Sequence, residues 1–134
     1  MAPRRDSPSP AARLRARPGA PLARVLDALE HAEARAAERR VADYVAARLR
    51  RGFGPLRVRA ELQARGVPPA QVESHLARTD EAWLELLRAA HDRRFGPVPP
   101  ADRREQARRA RFLEYRGFPP ALIARLLAVT EDGA

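Results

Sequence analysis

The chain has 134 residues, a net charge of +9 and no cysteine, with 45% hydrophobic and 32% charged residues. Disulfides, thiolate metal sites and cysteine nucleophiles are excluded, and no apolar run approaches the roughly 20 residues that span a bilayer. Only 5% of residues are aromatic, the apolar share is dominated by Ala and Leu, and Gly is scarce outside apparent turns, so an all-α fold is predicted.

Every position counted as Lys or Arg is Arg. Guanidinium groups bind phosphate and carboxylate through two parallel hydrogen bonds, so acidic partners are expected. A proteome-wide replacement of Lys by Arg would account for the absence of Lys, but not for the excess of positive charge. The start, Met1-Ala2-Pro3-Arg4-Arg5-Asp6, carries charge with no apolar run behind it, so no secretory signal is expected and the cytoplasm is the expected compartment.

Residues 1–21 hold Pro3, Pro8, Pro10, Pro18 and Pro21 among Arg4, Arg5, Arg13, Arg15 and Arg17. Without helical periodicity, this segment reads as a disordered basic tail. From Leu22 the pattern changes: Leu22, Val25, Leu26 and Leu29 make an amphipathic stripe over 22–36. A second stripe, Val41, Tyr44, Val45 and Leu49, runs to the Gly52-Phe53-Gly54-Pro55 break. Pro55 then opens a helix that buries Val58 and Leu62 and ends at Gly66. Pro68 and Pro69 open a short helix with Val72 and Leu76. Thr79 or Asp80 caps a helix bearing Trp83, Leu84, Leu86 and Leu87, which stops before Phe95-Gly96-Pro97. The last two helices run from about Ala101 to Arg116, ended by Gly117, and from Pro119 or Pro120 to about Val129.

This order repeats. Phe53-Gly54-Pro55 returns as Phe95-Gly96-Pro97, and Leu62-Gln63-Ala64-Arg65-Gly66-Val67-Pro68-Pro69 returns as Leu113-Glu114-Tyr115-Arg116-Gly117-Phe118-Pro119-Pro120. The second copy has extra residues between its two turns. Three-helix repeats at 37–78 and 79–130 follow, with 22–36 as the remnant helix of an earlier repeat. Such units bury little alone, so they are expected to pack in series into an elongated, curved helical body.

The residues Arg40-Val41-Ala42, Tyr44-Val45, Arg48, Arg51-Gly52-Phe53-Gly54-Pro55, Arg57-Val58-Arg59-Ala60-Glu61-Leu62 and Arg65-Gly66-Val67 resemble the central repeat of the RecX family. Asp80-Glu81-Ala82-Trp83, Arg94-Phe95-Gly96 and Arg111-Phe112-Leu113-Glu114-Tyr115-Arg116-Gly117-Phe118 resemble its last repeat. The resemblance spans roughly Val25 to Val129. It implies three tandem three-helix repeats seated in the groove of a RecA filament on single-stranded DNA, restraining the recombinase. This sequence departs from the family pattern in two ways. Only the closing helix of the first repeat is evident, and Glu38 and Val41 stand where the family favours Asp and an aromatic residue.

No catalytic constellation can be assembled. His31, His75 and His91 lack ligand spacing, and Ser7, Ser9 and Ser74 lie outside any nucleophile motif. A binding protein without cofactor or small-molecule substrate is expected, in monomeric form. Trp83, Phe53, Phe95, Phe112 and Phe118 sit on apolar stripes or at turn corners and read as core rather than base-stacking groups. Tyr115 lies beside the stripe, at a helix junction. The candidate filament- or DNA-binding residues are Arg57 and Arg59 in the central repeat and Arg104, Arg108, Arg109 and Arg111 in the last. Arg104, Arg108 and Arg111 fall at i, i+4 and i+7 on one face; the alternative reading is a solvated surface with i,i+4 pairs such as Glu105 with Arg109. The motif residues Gly52, Phe53, Gly54, Pro55, Arg65, Gly66, Trp83, Phe95, Gly96, Arg116, Gly117 and Phe118 read as structural. An autonomous basic helical DNA-binding protein, or a paralogue that folds without inhibiting, are the alternative functions.

Overall fold

The computed structural model describes residues 21–128; the expected basic tail lies outside them, apart from Pro21. Six α-helices and no strands occupy the described residues: α1 Pro21–Arg50, α2 Pro55–Ala64, α3 Pro69–Leu76, α4 Asp80–Phe95, α5 Arg103–Tyr115 and α6 Pro120–Leu127. The all-α prediction holds. The chain divides into two compact units, Met1–Arg40 and Val41–Ala134.

In the first unit the described residues are all helical. The apolar stripe of this segment is uncovered, with Leu22, Val25 and Leu29 exposed by 54%, 53% and 54%. The two stripes read from the sequence as separate helices lie on the single helix α1. No Gly or Pro occurs between Leu22 and Arg51, and the Ala, Arg, Glu and Leu that fill the interval are the strongest helix formers, so nothing breaks it.

In the second unit, the remaining helices begin and end where local chemistry dictates. Pro55, Pro69 and Pro120 each occupy the first helical turn, where a missing N–H costs nothing. The Thr79 hydroxyl accepts from the Ala82 N–H at 3.1 Å to cap α4. Asp102 Oδ1 accepts from the Glu105 N–H at 2.8 Å to cap α5. Three helices close with the same pair of bonds. Gly52 N–H reaches the Leu49 carbonyl and Phe53 N–H the Arg48 carbonyl; Gly66 and Val67 reach back to Gln63 and Leu62; Gly117 and Phe118 reach back to Glu114 and Leu113. This wrap satisfies the last carbonyls of each helix and turns the chain toward the next one.

One apolar core joins both repeats. Val45, Leu49, Val58, Leu62, Val72 and Leu76 come from the central repeat, and Trp83, Leu87, Ala90, Leu113, Phe118, Leu122, Ile123 and Leu127 from the last. The repeats also meet backbone to backbone. Gly54 N–H donates to the Arg116 carbonyl at 2.8 Å and Leu56 N–H to the Gly117 carbonyl at 2.9 Å. The Phe-Gly-Pro turn of one repeat thus docks on the Arg-Gly turn of the next. Neither glycine can be replaced without displacing backbone: a Cβ on Gly54 would lie 2.6 Å from the Gly117 carbonyl carbon, and one on Gly117 2.6 Å from the Arg57 nitrogen.

Candidate filament-binding surface

Three of the six arginines proposed from sequence lie on an open face. Arg104, Arg108 and Arg111 are exposed along α5, spaced to share one side of the helix. Arg108 is held by Glu105 through two bonds, Nε at 2.9 Å and Nη2 at 2.8 Å. Glu105 lies well below the usual carboxylate range, at about 2, because Arg108 and then Arg109 donate hydrogen bonds to it. The same pairing raises the Arg108 pKa. Arg104 and Arg111 form no ion pair among the described residues, so theirs are the charges most open to an external anion.

Arg109 does not belong to that face. It is 7% exposed, with Nη1 donating to the Val98 carbonyl at 2.7 Å and Nε to Glu105 at 3.1 Å. Nη1 also lies 3.2 Å from His91 Nε2. A guanidinium only donates, so His91 accepts there and its Nδ1, 2.8 Å from Asp92 Oδ1, carries the proton of that second bond. Arg109 therefore ties α5 to α4 and to the loop between them. Sequence spacing placed it beside Arg108, but a helix turns about 100° per residue, and that rotation carries it into the interior.

The central repeat's two candidates are already engaged. Arg59 is paired with Glu73 at 2.8 Å and 3.3 Å, linking α2 to α3. Arg57 is half-buried; its guanidinium lies 4.6 Å from the Phe53 ring centroid and 5.2 Å from that of Tyr115. Its Nη1 reaches the Tyr115 carbonyl at 3.4 Å.

Phe53 organises this junction. Besides Arg57, Arg48 and Arg116 place their guanidinium carbons 3.7 Å and 4.5 Å from its centroid, close enough for favourable cation–π attraction. Among the described residues only Arg48 of these three has a carboxylate, Glu61, which it grips at 3.0 Å and 2.7 Å. Burial, then the like charges of Arg57 and Arg48, lower the Arg116 pKa from its ordinary value. The other motif residues take local roles: Arg65 lies 4.0 Å from the Tyr44 centroid, Phe95 packs edge-on against Phe112 with centroids 5.4 Å apart, and Trp83 and Phe118 are buried. Gly96 ends α4 at a positive φ. Tyr115 is 73% exposed. Arg48 was not singled out by the sequence as part of a charged cluster, although its spacing of five residues before Phe53 recurs in the wrapped turn. Among the described residues no group of three or more His, Asp or Glu side chains is gathered to hold a metal, and no helix is long and apolar enough to cross a membrane.

Tandem three-helix units sharing one core and joined turn to turn, with an exposed arginine stripe on α5, define an all-helical repeat protein. Residues 33–76 match the family model of the second three-helix domain of RecX, and residues 80–127 that of the third. The chain belongs to the RecX family. The regulatory protein RecX of Pseudomonas fluorescens is 36% identical over 116 residues, covering 87% of this chain and 75% of that protein. Those of Pseudomonas savastanoi and Halorhodospira halophila are 44% and 39% identical over 85 and 89 residues, in each case 55% of the relative's length. The chain thus spans little more than half of several curated relatives that it matches.

Proposed function

We propose that this chain is a cytoplasmic, non-catalytic regulator that binds the RecA filament assembled on single-stranded DNA and restrains recombinase activity. The observation that carries this reading is the pair of RecX domains, matched in order and without a gap longer than a turn. The relatives bear the name of a regulatory protein, and repeats in series suit a partner that is itself a repeating polymer. Each repeat then meets an adjacent subunit, and weak contacts made together produce a strong one. The exposed stripe of Arg104, Arg108 and Arg111 supplies positive charge to acidic filament groups or to phosphates, and the net charge of +9 steers the encounter.

The test is inhibition of the single-stranded-DNA-dependent ATPase of the cognate RecA, measured beside binding to bare DNA at the same salt. Inhibition at concentrations that leave bare DNA unbound supports filament regulation. Duplex binding without inhibition, falling with salt at a log–log slope of about −0.9 per neutralised phosphate, supports an autonomous DNA binder instead.

A further inference from the structure

The ends of α1, α4 and α5 bring four arginines to one opening. Arg51, Arg93, Arg94 and Arg116 line a pocket of about 100 Å³ with Phe112 in its wall. Among the described residues no acidic side chain lines it and none of the four forms an ion pair. Five arginines elsewhere are matched by a carboxylate: Arg48 with Glu61, Arg59 with Glu73, Arg108 and Arg109 with Glu105, and Arg125 with Glu81. Four uncompensated cations around one dent repel one another, and a bound anion relieves that repulsion.

Three of the four side chains are held in place before any ligand arrives. Arg93 Nη1 donates to the Arg50 carbonyl at 2.7 Å, and Arg116 Nη1 to the Arg51 carbonyl at 3.4 Å. Arg94 and Arg116 stack their guanidinium carbons 5.5 Å and 5.1 Å from the Phe112 centroid. Fixed forks lose less conformational freedom on binding than free side chains do. The depressed Arg116 pKa, caused first by burial and then by Arg57 and Arg48, registers the crowding of positive charge beside the pocket.

Size and surroundings select the anion. The dent, about 100 Å³ in volume, has room for one phosphate or carboxylate group. Tyr115, adjacent to Arg116 in the chain, is 73% exposed, with the Arg57 guanidinium 5.2 Å from its ring. A protein carboxylate would use the arginine forks but leave that ring idle. A nucleic acid strand uses both, with a phosphate on the forks and a base on the ring.

We propose that this pocket is a phosphate site for single-stranded nucleic acid, in which Arg51, Arg93, Arg94 and Arg116 hold one phosphodiester and Tyr115 stacks a neighbouring base. It rests on the proposed function only for the supply of single-stranded DNA.

The probe is labelled oligo(dT), titrated over a series of low salt concentrations against the full chain and three variants. Arg51 and Arg94 are exposed and donate no side-chain hydrogen bond among the described residues, so Arg51→Ala with Arg94→Ala keeps the wild-type melting transition. That double variant binds roughly tenfold more weakly, about the worth of one charge-assisted hydrogen bond. Its log–log salt slope is shallower by at most about 0.7, the share of the single phosphate that the pocket holds. Tyr115→Ala weakens binding without altering the slope, and Tyr115→Phe restores it. Unchanged affinity and slope in the double variant overturn the proposal. So does a double variant that loses binding to poly-glutamate while keeping oligo(dT), since the pocket then serves a protein carboxylate. The RecA ATPase run in parallel separates the two claims. Wild-type inhibition with an unaltered double variant overturns the phosphate site alone, and the expected oligo(dT) losses without wild-type inhibition overturn filament regulation alone.

Discussion

Gly54 and Gly117 meet with no room for a side chain between them: a Cβ on Gly54 would stand 2.6 Å from both the carbonyl carbon and the carbonyl oxygen of Gly117. Two turns from different repeats are thereby locked into backbone hydrogen bonds, Gly54 to Arg116 and Leu56 to Gly117. Gly54 has an ordinary φ of −98°, so its need for glycine comes from the neighbour and not from its own backbone. Gly54→Ala should destabilise the chain by about 3 kcal/mol, the upper end of overpacking penalties. Gly96→Ala, where nothing lies within 4 Å, should cost only the roughly 1–2 kcal/mol of a left-handed alanine. Urea denaturation of both variants checks the order; equal losses would mean that the inter-repeat approach is looser than described.

Arg109 separates folding from binding on α5. Arg109→Ala leaves Nε2 of the buried His91 without its donor and breaks the bond to the Val98 carbonyl, and should cost roughly 1–3 kcal/mol for the buried group left unsatisfied. Arg104→Ala, on the exposed face, should stay within about 0.5 kcal/mol of wild type. Thermal melts of the pair decide this, and a wild-type melt for Arg109→Ala would return that residue to the candidate surface.

Glu105 gives the fold an acid-sensitive clasp. Its folded pKa of about 2 lies below the ordinary 4.5 because Arg108 and Arg109 bond the ionised form. Its contribution is therefore fully present above pH 4.5 and is lost as pH falls toward about 2. Glu105→Gln should be less stable than wild type at neutral pH, and the gap should shrink through that acid window. Urea midpoints taken at a series of pH values test this; a gap independent of pH would show that the charge contributes nothing.

Much of the fold was legible because its punctuation is local. Pro55, Pro69 and Pro120 start helices by their own φ, and the Arg-Gly turns wrap by bonds reaching back five residues or fewer. The doubled motif then exposed the repeat. The continuity of α1 was less visible, since two apolar stripes out of phase look like two helices unless the absence of any breaker between them is weighed. The site was less legible still. Arg109 owes its burial to Val98 and His91, and the arginine pocket is assembled from Arg51, Arg93, Arg94 and Arg116 at three separated helix ends. Side-chain spacing along one helix reports neighbours on that helix only. Where charges from different elements converge is decided by packing.

The exposed stripe on α5 should matter to the partner more than to the fold, in which only its Arg108–Glu105 pair takes part. Replacing Arg104, Arg108 and Arg111 together by Ala removes three surface charges worth about 0.2–1 kcal/mol each. Filament affinity should fall about tenfold or somewhat more, with a melting transition lowered only by the loss of the Arg108–Glu105 pair. Co-sedimentation with RecA on single-stranded DNA measures it, and undiminished binding would place the filament contacts elsewhere on the chain.

The central claim is tested most directly by titrating this chain into cognate RecA and single-stranded DNA while ATP hydrolysis is followed, with bare-DNA binding recorded at the same salt. Filament regulation predicts that hydrolysis falls at concentrations where bare DNA is still unbound. Hydrolysis that stays constant until the DNA itself is saturated with this chain would contradict it.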